Sequence, residues 1–303
     1  MTTPVGLNTT KIAVDAAGGP AKYYARLKGA YNVSRIMGNM TDESLRFLRE
    51  CQGPALENGI KLLPVLLFPT WYQWELTGMY QKFKTVNDFW NYGPDYFVAQ
   101  ALNDLVENID NKNLFAVEVL NEVQVDHPTK LGFCARAIMQ IRAELPGLPL
   151  TISRPFPYGL ETPYENPLTE LLDFVTFHTY GRDALEWWLS PVRNEWDRMR
   201  VRLENVSRAC DAVKSACMGK PFLPTEDPIL PVRGPVGDFW SRIIGRPQDS
   251  EIAYHYRKVS RAYVECGAMG PGMPWSSCQQ DVPNGFVAAM REEFGEQVAQ
   301  AGK

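Results

Sequence analysis

Leu114-Phe115-Ala116-Val117-Glu118-Val119-Leu120-Asn121-Glu122-Val123-Gln124 is the stretch on which the fold turns. Phe115, Val117, Val119 and Leu120 form an apolar, β-branched run suited to a strand buried on both faces. The run stops at an amide and a carboxylate side by side, Asn121 and Glu122. A strand that delivers such a pair to its C-terminal end is well placed for chemistry in a β/α barrel, where the loops after the strands form the working face.

On either side of this stretch, short apolar runs alternate with helical patterns, the signature of a parallel sheet. Strands are expected at Lys11–Ala16, Tyr31–Met37, Lys61–Phe68, Leu148–Ser153, Asp173–Thr179, Phe222–Thr225 and Ala268–Trp275. Between them the pattern predicts helices over Ala21–Leu27, Thr41–Glu50, Asp95–Asn108, Pro128–Glu144, Trp196–Ala216, Asp249–Val264 and Phe286–Gln300. Thr41 and Asp249 or Ser250 stand as caps, and Pro128 at a first-turn position. With the opening stretch this makes eight strands, and the longest loops follow strands. The reading is an α/β fold in which residues 1–303 form a single (β/α)8 barrel domain.

The composition narrows the function. The 303 residues carry a formal net charge of −4 and no Lys/Arg cluster, so nothing attracts nucleic acid. No apolar run approaches the roughly 20 residues that span a bilayer, and no membrane association is expected. Met1–Thr10 has neither the basic nor the apolar part of a secretory signal; the chain reads as cytoplasmic, and a secreted protein trimmed of its leader would read the same way. Cys51, Cys134, Cys210, Cys217, Cys266 and Cys278 form no Cys-x-x-Cys pair and read as reduced fillers. Three histidines without a His-x-His pair suggest no metal site, and no cofactor is expected. A monomer is expected. Asn8, Asn32, Asn39 and Asn205 head Asn-x-Ser/Thr sequons, which carry little meaning without a secretory signal.

The strand ends supply a second carboxylate. Pro221-Phe222-Leu223-Pro224-Thr225-Glu226 places Glu226 where Glu122 stands on its own strand, so two acids face each other across a barrel mouth. Glycoside hydrolysis needs such a pair, one acid to protonate the leaving oxygen and one carboxylate to attack or to activate water. Arg35 enters an otherwise apolar strand, and a buried guanidinium needs a carboxylate partner, for which Glu226 is a candidate. Alternation places His178 and Tyr180 on one side of their strand. Trp275 at the end of the last strand offers a face for a sugar ring, and Trp71 lies in the aromatic loop after the third.

Taken together, these pieces resemble the retaining β-glycosidases of the barrel superfamily called clan A, most closely glycoside hydrolase family 5. The resemblance is carried by Tyr31-Asn32-Val33-Ser34-Arg35-Ile36, by Phe115 to Glu122, and by His178-Thr179-Tyr180, Glu226 and Trp275 in the family's order. It implies Glu122 as acid/base, Glu226 as nucleophile and Asn121 as a contact to the sugar 2-hydroxyl. It also implies Arg35 and Tyr180 as the groups that keep Glu226 ionised and oriented, His178 near the cleavage point, and Trp275 as the floor of the sugar subsite. Three departures stand out: Val123 where the family usually has Pro, Asp227-Pro228 after Glu226, and Pro69-Thr70-Trp71 where a His motif is usual.

The expected activity is double-displacement hydrolysis of a neutral β-glucan, mannan or glucoside, with an oligosaccharide or polysaccharide as partner. That role asks Glu122 to titrate above an ordinary Glu while Glu226 stays ionised, and it sets the carboxyl groups about 5–5.5 Å apart, against about 6.5–9.5 Å for inversion. A carbohydrate-binding barrel with lost or weak catalysis is the rival. A barrel lyase or aldolase would need a strand-borne Lys or a metal cluster, and the strand ends carry neither.

Overall fold

The computed structural model describes residues 3–36, 42–67, 90, 105, 107, 109–155, 164–178, 195–226, 249–274 and 284–301. Its strands are β1 (Gly6–Thr9), β2 (Val33–Ile36), β3 (Lys61–Leu67), β4 (Val117–Leu120), β5 (Leu150–Thr151), β6 (Ser153–Pro155), β7 (Val175–His178) and β8 (Phe222–Glu226). All described pairings are parallel, in the order β1-β2-β3-β4-β5 and β6-β7-β8. The helices are α1 (Lys11–Ala16), α2 (Pro20–Leu27), α3 (Asp42–Glu57), α4 (Pro128–Glu144), α5 (Glu165–Leu171), α6 (Glu195–Ala216), α7 (Asp249–Glu265) and α8 (Asn284–Ala301). This is the (β/α)8 barrel expected from the alternation. No described helix is long and apolar enough to cross a membrane.

The two ends of the chain depart from the expectation. Lys11–Ala16 is the helix α1 rather than the first strand: Thr10 caps it by accepting a bond from the Ala13 amide at 3.2 Å, and Ala13 and Val14 turn inward. The strand lies just before it, in Gly6-Leu7-Asn8-Thr9, whose polar residues hide its character but are all buried. The expected eighth strand, Ala268–Trp275, forms no ladder over residues 268–274. Met269 and Met273 donate to the carbonyls of Phe222 and Pro224, and Asn8 donates to that of Pro274. The segment therefore lies between β8 and β1 and closes the ring, while Pro271 and Pro274 deny it regular pairing. Chains run close together here: a Cβ on Gly270 would stand 1.9 Å from the Pro4 carbonyl oxygen. The expected fifth strand is also divided, into β5 and β6 on either side of Ile152.

Outside the ring, Val117 and Val119 of β4 belong to the main core together with Leu62, Leu66, and Phe133, Ile138 and Ile141 of α4. A second core joins Val175 and Phe177 of β7 to Cys210 and Val213 of α6 and Tyr263 of α7. Inside the ring, near the strand starts, Val33, Leu63, Ala116, Phe174, Leu223 and Met273 form a third cluster. Each such buried apolar side chain contributes about 1.5–3 kcal/mol relative to exposure. Because side chains repeat every second residue, the next inward positions along these strands are Arg35, Val65, Glu118, Thr176 and Thr225, polar in all but Val65. The barrel interior is thus apolar below and polar above, which puts a site at the C-terminal face.

Candidate active site

Glu122 and Glu226 reach the mouth by two different backbone irregularities. Neighbours on a strand point to opposite faces, so Asn121 and Glu122 cannot both face inward while β4 continues. The strand ends at Leu120, and Glu122 takes φ 52°, a left-handed conformation uncommon outside Gly. The Glu122 amide donates to Ser153 Oγ at 2.9 Å and the Val123 amide to the Ser153 carbonyl at 3.1 Å, which holds the turn. On β8, Leu223 faces inward and strict alternation would send Glu226 outward with Phe222 and Pro224. The register with β7 shifts between Phe177 and His178, so that Phe177 pairs with Pro224 but His178 pairs with Glu226. This bulge turns Glu226 to the side that His178 occupies, a role bulges commonly take near active sites.

Arg35 sits beneath them and is wholly buried. Its Nε donates to Glu118 Oε2 at 2.9 Å and its Nη2 to Glu118 Oε1 at 2.6 Å. Nη1 donates to Asn8 Oδ1 at 2.8 Å and to Glu226 Oε1 at 2.5 Å, and Nη2 also donates to Asn121 Oδ1 at 2.6 Å. Burial alone would weaken its hold on the proton, but Glu118 and Glu226 outweigh burial and raise its pKa.

His178 lies between the two acids. Its Nδ1 is 3.0 Å from Glu122 Oε1 and 3.5 Å from Glu226 Oε2, and its Nε2 faces Arg35 Nη2 at 3.5 Å. One ligand atom from each of Glu122, His178 and Glu226 lies within 4.8 Å of the others, a spacing that would suit a cation. A cation there would stand beside the Arg35 guanidinium, which already pairs with Glu226 Oε1 at 2.5 Å.

Glu122 departs from the sequence expectation in its acidity. Burial pushes its carboxyl up, but the hydrogen bond and charge of His178 and the charge of Arg35 outweigh burial and leave it below the ordinary value of 4.5. The expected elevation assumed a dry site and gave His178 no part in it. Glu122 keeps 28% of its side-chain surface exposed against 4% for Glu226, so Glu122 is the acid that solvent reaches.

Five of the expected site residues, Arg35, Asn121, Glu122, His178 and Glu226, come together in this way. Tyr180, Trp275 and Trp71 lie outside the described residues. Sequence reasoning named Glu226 as the partner of Arg35 and gave no role to Glu118, which holds the guanidinium with both oxygens. The signal was present in Val117-Glu118-Val119: a second charge in an apolar strand calls for an opposite one. Asn8 was also missed, because its strand was placed five residues too late. Its Nδ2 donates to the Thr225 and Pro274 carbonyls at 2.8 and 3.2 Å while its Oδ1 serves Arg35.

No protein-family model matches the sequence, and neither does any curated protein. The structure, by contrast, is similar to solved glycosidases. An endo-β-1,4-mannanase from Thermotoga petrophila matches 98% of this chain and 77% of its own at 13% identity and a TM-score of 0.63. An endo-1,4-β-mannanase from Rhizomucor miehei matches 99% of this chain and 95% of its own at 12% identity and a TM-score of 0.64. An exo-β-1,4-mannosidase from Opitutaceae bacterium strain TAV5 matches 99% of this chain and 60% of its own at 17% identity and a TM-score of 0.62. At these identities the likeness is one of fold.

Proposed function

We propose that the chain is a retaining glycoside hydrolase that cleaves β-glycosidic bonds of a neutral glucan, mannan or glucoside. The observation that carries this reading is the meeting of Glu122 and Glu226 at the barrel mouth, with carboxylate oxygens within 4.8 Å of each other. Retaining enzymes hold their carboxyl groups about 5–5.5 Å apart, too close for the water that inversion places between them. Glu226 attacks the anomeric carbon while Glu122 protonates the departing oxygen, leaving a glycosyl ester on Glu226. Glu122, now ionised, takes a proton from water as the water attacks that carbon, which frees Glu226 and a sugar of unchanged configuration. Arg35 spends Asn121 Oδ1 as an acceptor, so the Asn121 amide N–H₂ is the end that meets a sugar hydroxyl. Tyr180, Trp275 and Trp71 complete the subsite in this proposal. A β-1,4-mannan is the first substrate to test, since similar solved structures are named for that activity.

A panel of aryl β-glycosides and β-1,4-mannan, assayed with wild type, Glu122→Ala and Glu226→Ala, tests the reading. General acid–base assistance is worth about 10²–10⁴-fold, and losses of at least that size are expected in both variants. Azide should rescue Glu226→Gly with inverted stereochemistry and Glu122→Ala with retained stereochemistry. No turnover of any substrate, or variants as active as wild type, removes the assignment. The lowered pKa of Glu122 favours one rival, a carbohydrate-binding barrel with weak catalysis, because an acid that stays ionised donates no proton. The two part on pH. The enzyme gains activity on acidification as Glu122 protonates, with kcat/KM falling about tenfold per unit above the Glu122 pKa, whereas a binder retains sugar at every pH without turnover.

A further inference from the structure

Arg35 has five N–H donors and all five are engaged. Two go to Glu118, one each to Glu226, Asn8 and Asn121. Glu118 is thus the two-pronged partner, the geometry that fixes a guanidinium plane most firmly, and Glu226 receives a single bond from a group oriented by others. A buried Arg–Glu pair adds little net stability, since desolvation offsets attraction and an apolar pair often serves as well. Its place directly below the two acids at the mouth suggests another use.

We infer that Glu118 is a positioning residue of the site: it orients Arg35 toward Glu226 and takes up part of the guanidinium charge, so that the two acids at the mouth face a cation already shared. The geometry stands by itself, while its kinetic consequence rests on the glycosidase reading. Among the described residues, the charged or titratable groups facing the Arg35–Glu118 pair are Glu226 from β8, His178 from β7 and Glu122 beyond β4. The neighbours of Glu118 across the ladder, Val65 of β3 and Thr151 of β5, are uncharged, as are Asn8 of β1 and Ser153 of β6. Without the charge of Glu118, the field of Arg35, which already helps hold the Glu122 carboxyl down, acts on Glu122 undivided.

Glu118→Gln removes the charge and keeps the size. The basic limb of its kcat/KM profile should move to lower pH by about half to one unit, the direction set by removing a like charge near an acid. Glu118→Asp keeps the charge and shortens the fork, so its limb stays in place. Its kcat should fall by about 10–100-fold with KM within about twofold, because small misplacements near reacting groups are costly. A purely structural role would lower melting temperature or activity in both variants without moving the limb in either.

Carbon-13 carboxyl NMR titration of Glu122 in wild type and Glu118→Gln reads the same shift without substrate. A protein inactive on every glycoside that still shows the shift keeps this inference and loses the glycosidase reading. Glu118→Gln that melts like wild type yet leaves both the limb and the Glu122 titration unmoved overturns it. A wild-type kcat in Glu118→Asp overturns it as well, and decides alone if Glu118→Gln does not fold.

Discussion

Two arginines are fully buried among the described residues, and they are treated very differently. Arg35, inside the ring, meets two carboxylates and two amide oxygens, every donor is used, and its pKa rises. Arg154 of β6 meets one carboxylate, that of Glu165 on α5. Its Nη1 donates to the Ile152 carbonyl at 2.9 Å and its Nη2 to Thr169 Oγ1 at 3.3 Å. Its Nε touches Glu165 Oε1 without the alignment of a hydrogen bond, and Glu165 Oε2 has no partner among the described residues. Burial dominates here, lowering the pKa of Arg154 and raising that of Glu165. The same two residue types make a fully satisfied network at the mouth and an under-satisfied brace between β6 and α5. Burial of a charge says little about function until its acceptors are counted.

The largest effect that separates the two is removal of the cation. Arg35→Met leaves Glu118 and Glu226 facing each other, and Arg154→Met strands Glu165; each should cost about 3–5 kcal/mol in urea denaturation. Activity per folded molecule should collapse only in Arg35→Met, whereas Arg154→Met should keep kcat within about twofold, since removing a structural pair touches no transition-state contact. Replacing the whole brace, Arg154→Met with Glu165→Leu, should be neutral or stabilising by about 1–4 kcal/mol. A large loss of stability in that double variant would erase the distinction.

Next in size is acidity. In one carboxyl titration Glu122 should protonate below, and Glu165 above, the ordinary 4.5. The signs carry over to stability by linkage. The contribution of Glu122 is full above its unfolded pKa and is lost as pH falls through its lower folded value. The contribution of Glu165 is present in acid and is lost as pH rises through its higher folded value. Titration of both groups in the same direction would break the contrast.

The smallest test removes one neutral acceptor from each arginine. Asn8→Ala deletes the 2.8 Å bond to Arg35 and the ties to Thr225 and Pro274. It should cost about 1.5–3 kcal/mol, the range for a bond to a charged group, and lower kcat. Thr169→Ala deletes only 3.3 Å contacts, so about 0.5–1.5 kcal/mol is expected, with no change in kcat. Melting curves and initial rates on the same preparations compare them.

Much of this arrangement was legible before any coordinates. The helical and strand periods gave the barrel, and Glu122, His178 and Glu226 stood at strand ends where the mouth had to be. Arg35 announced itself as a charge in an apolar strand. The first strand was misplaced because Gly6-Leu7-Asn8-Thr9 looks like a loop in the sequence: Asn8 turns into the barrel to serve Arg35, while Thr9 turns outward to Ser34 and to Tyr23 of α2. The eighth was expected as a strand because its apolar content is high, yet its prolines leave it only scattered carbonyl contacts.

The sequence by itself determined which residue types reach the mouth, because alternation along short strands is a local property. Only the tertiary structure decided how they are aimed and charged. Glu226 faces inward because of a bulge set by pairing with β7, and Glu122 sits beside Asn121 because Ser153 of another strand holds its left-handed turn. The share of Arg35 taken by Glu118, and the lowering of the Glu122 pKa by His178, depend on groups 83 and 56 residues apart in the chain. Electrostatic contact acts through space, so no local pattern records it.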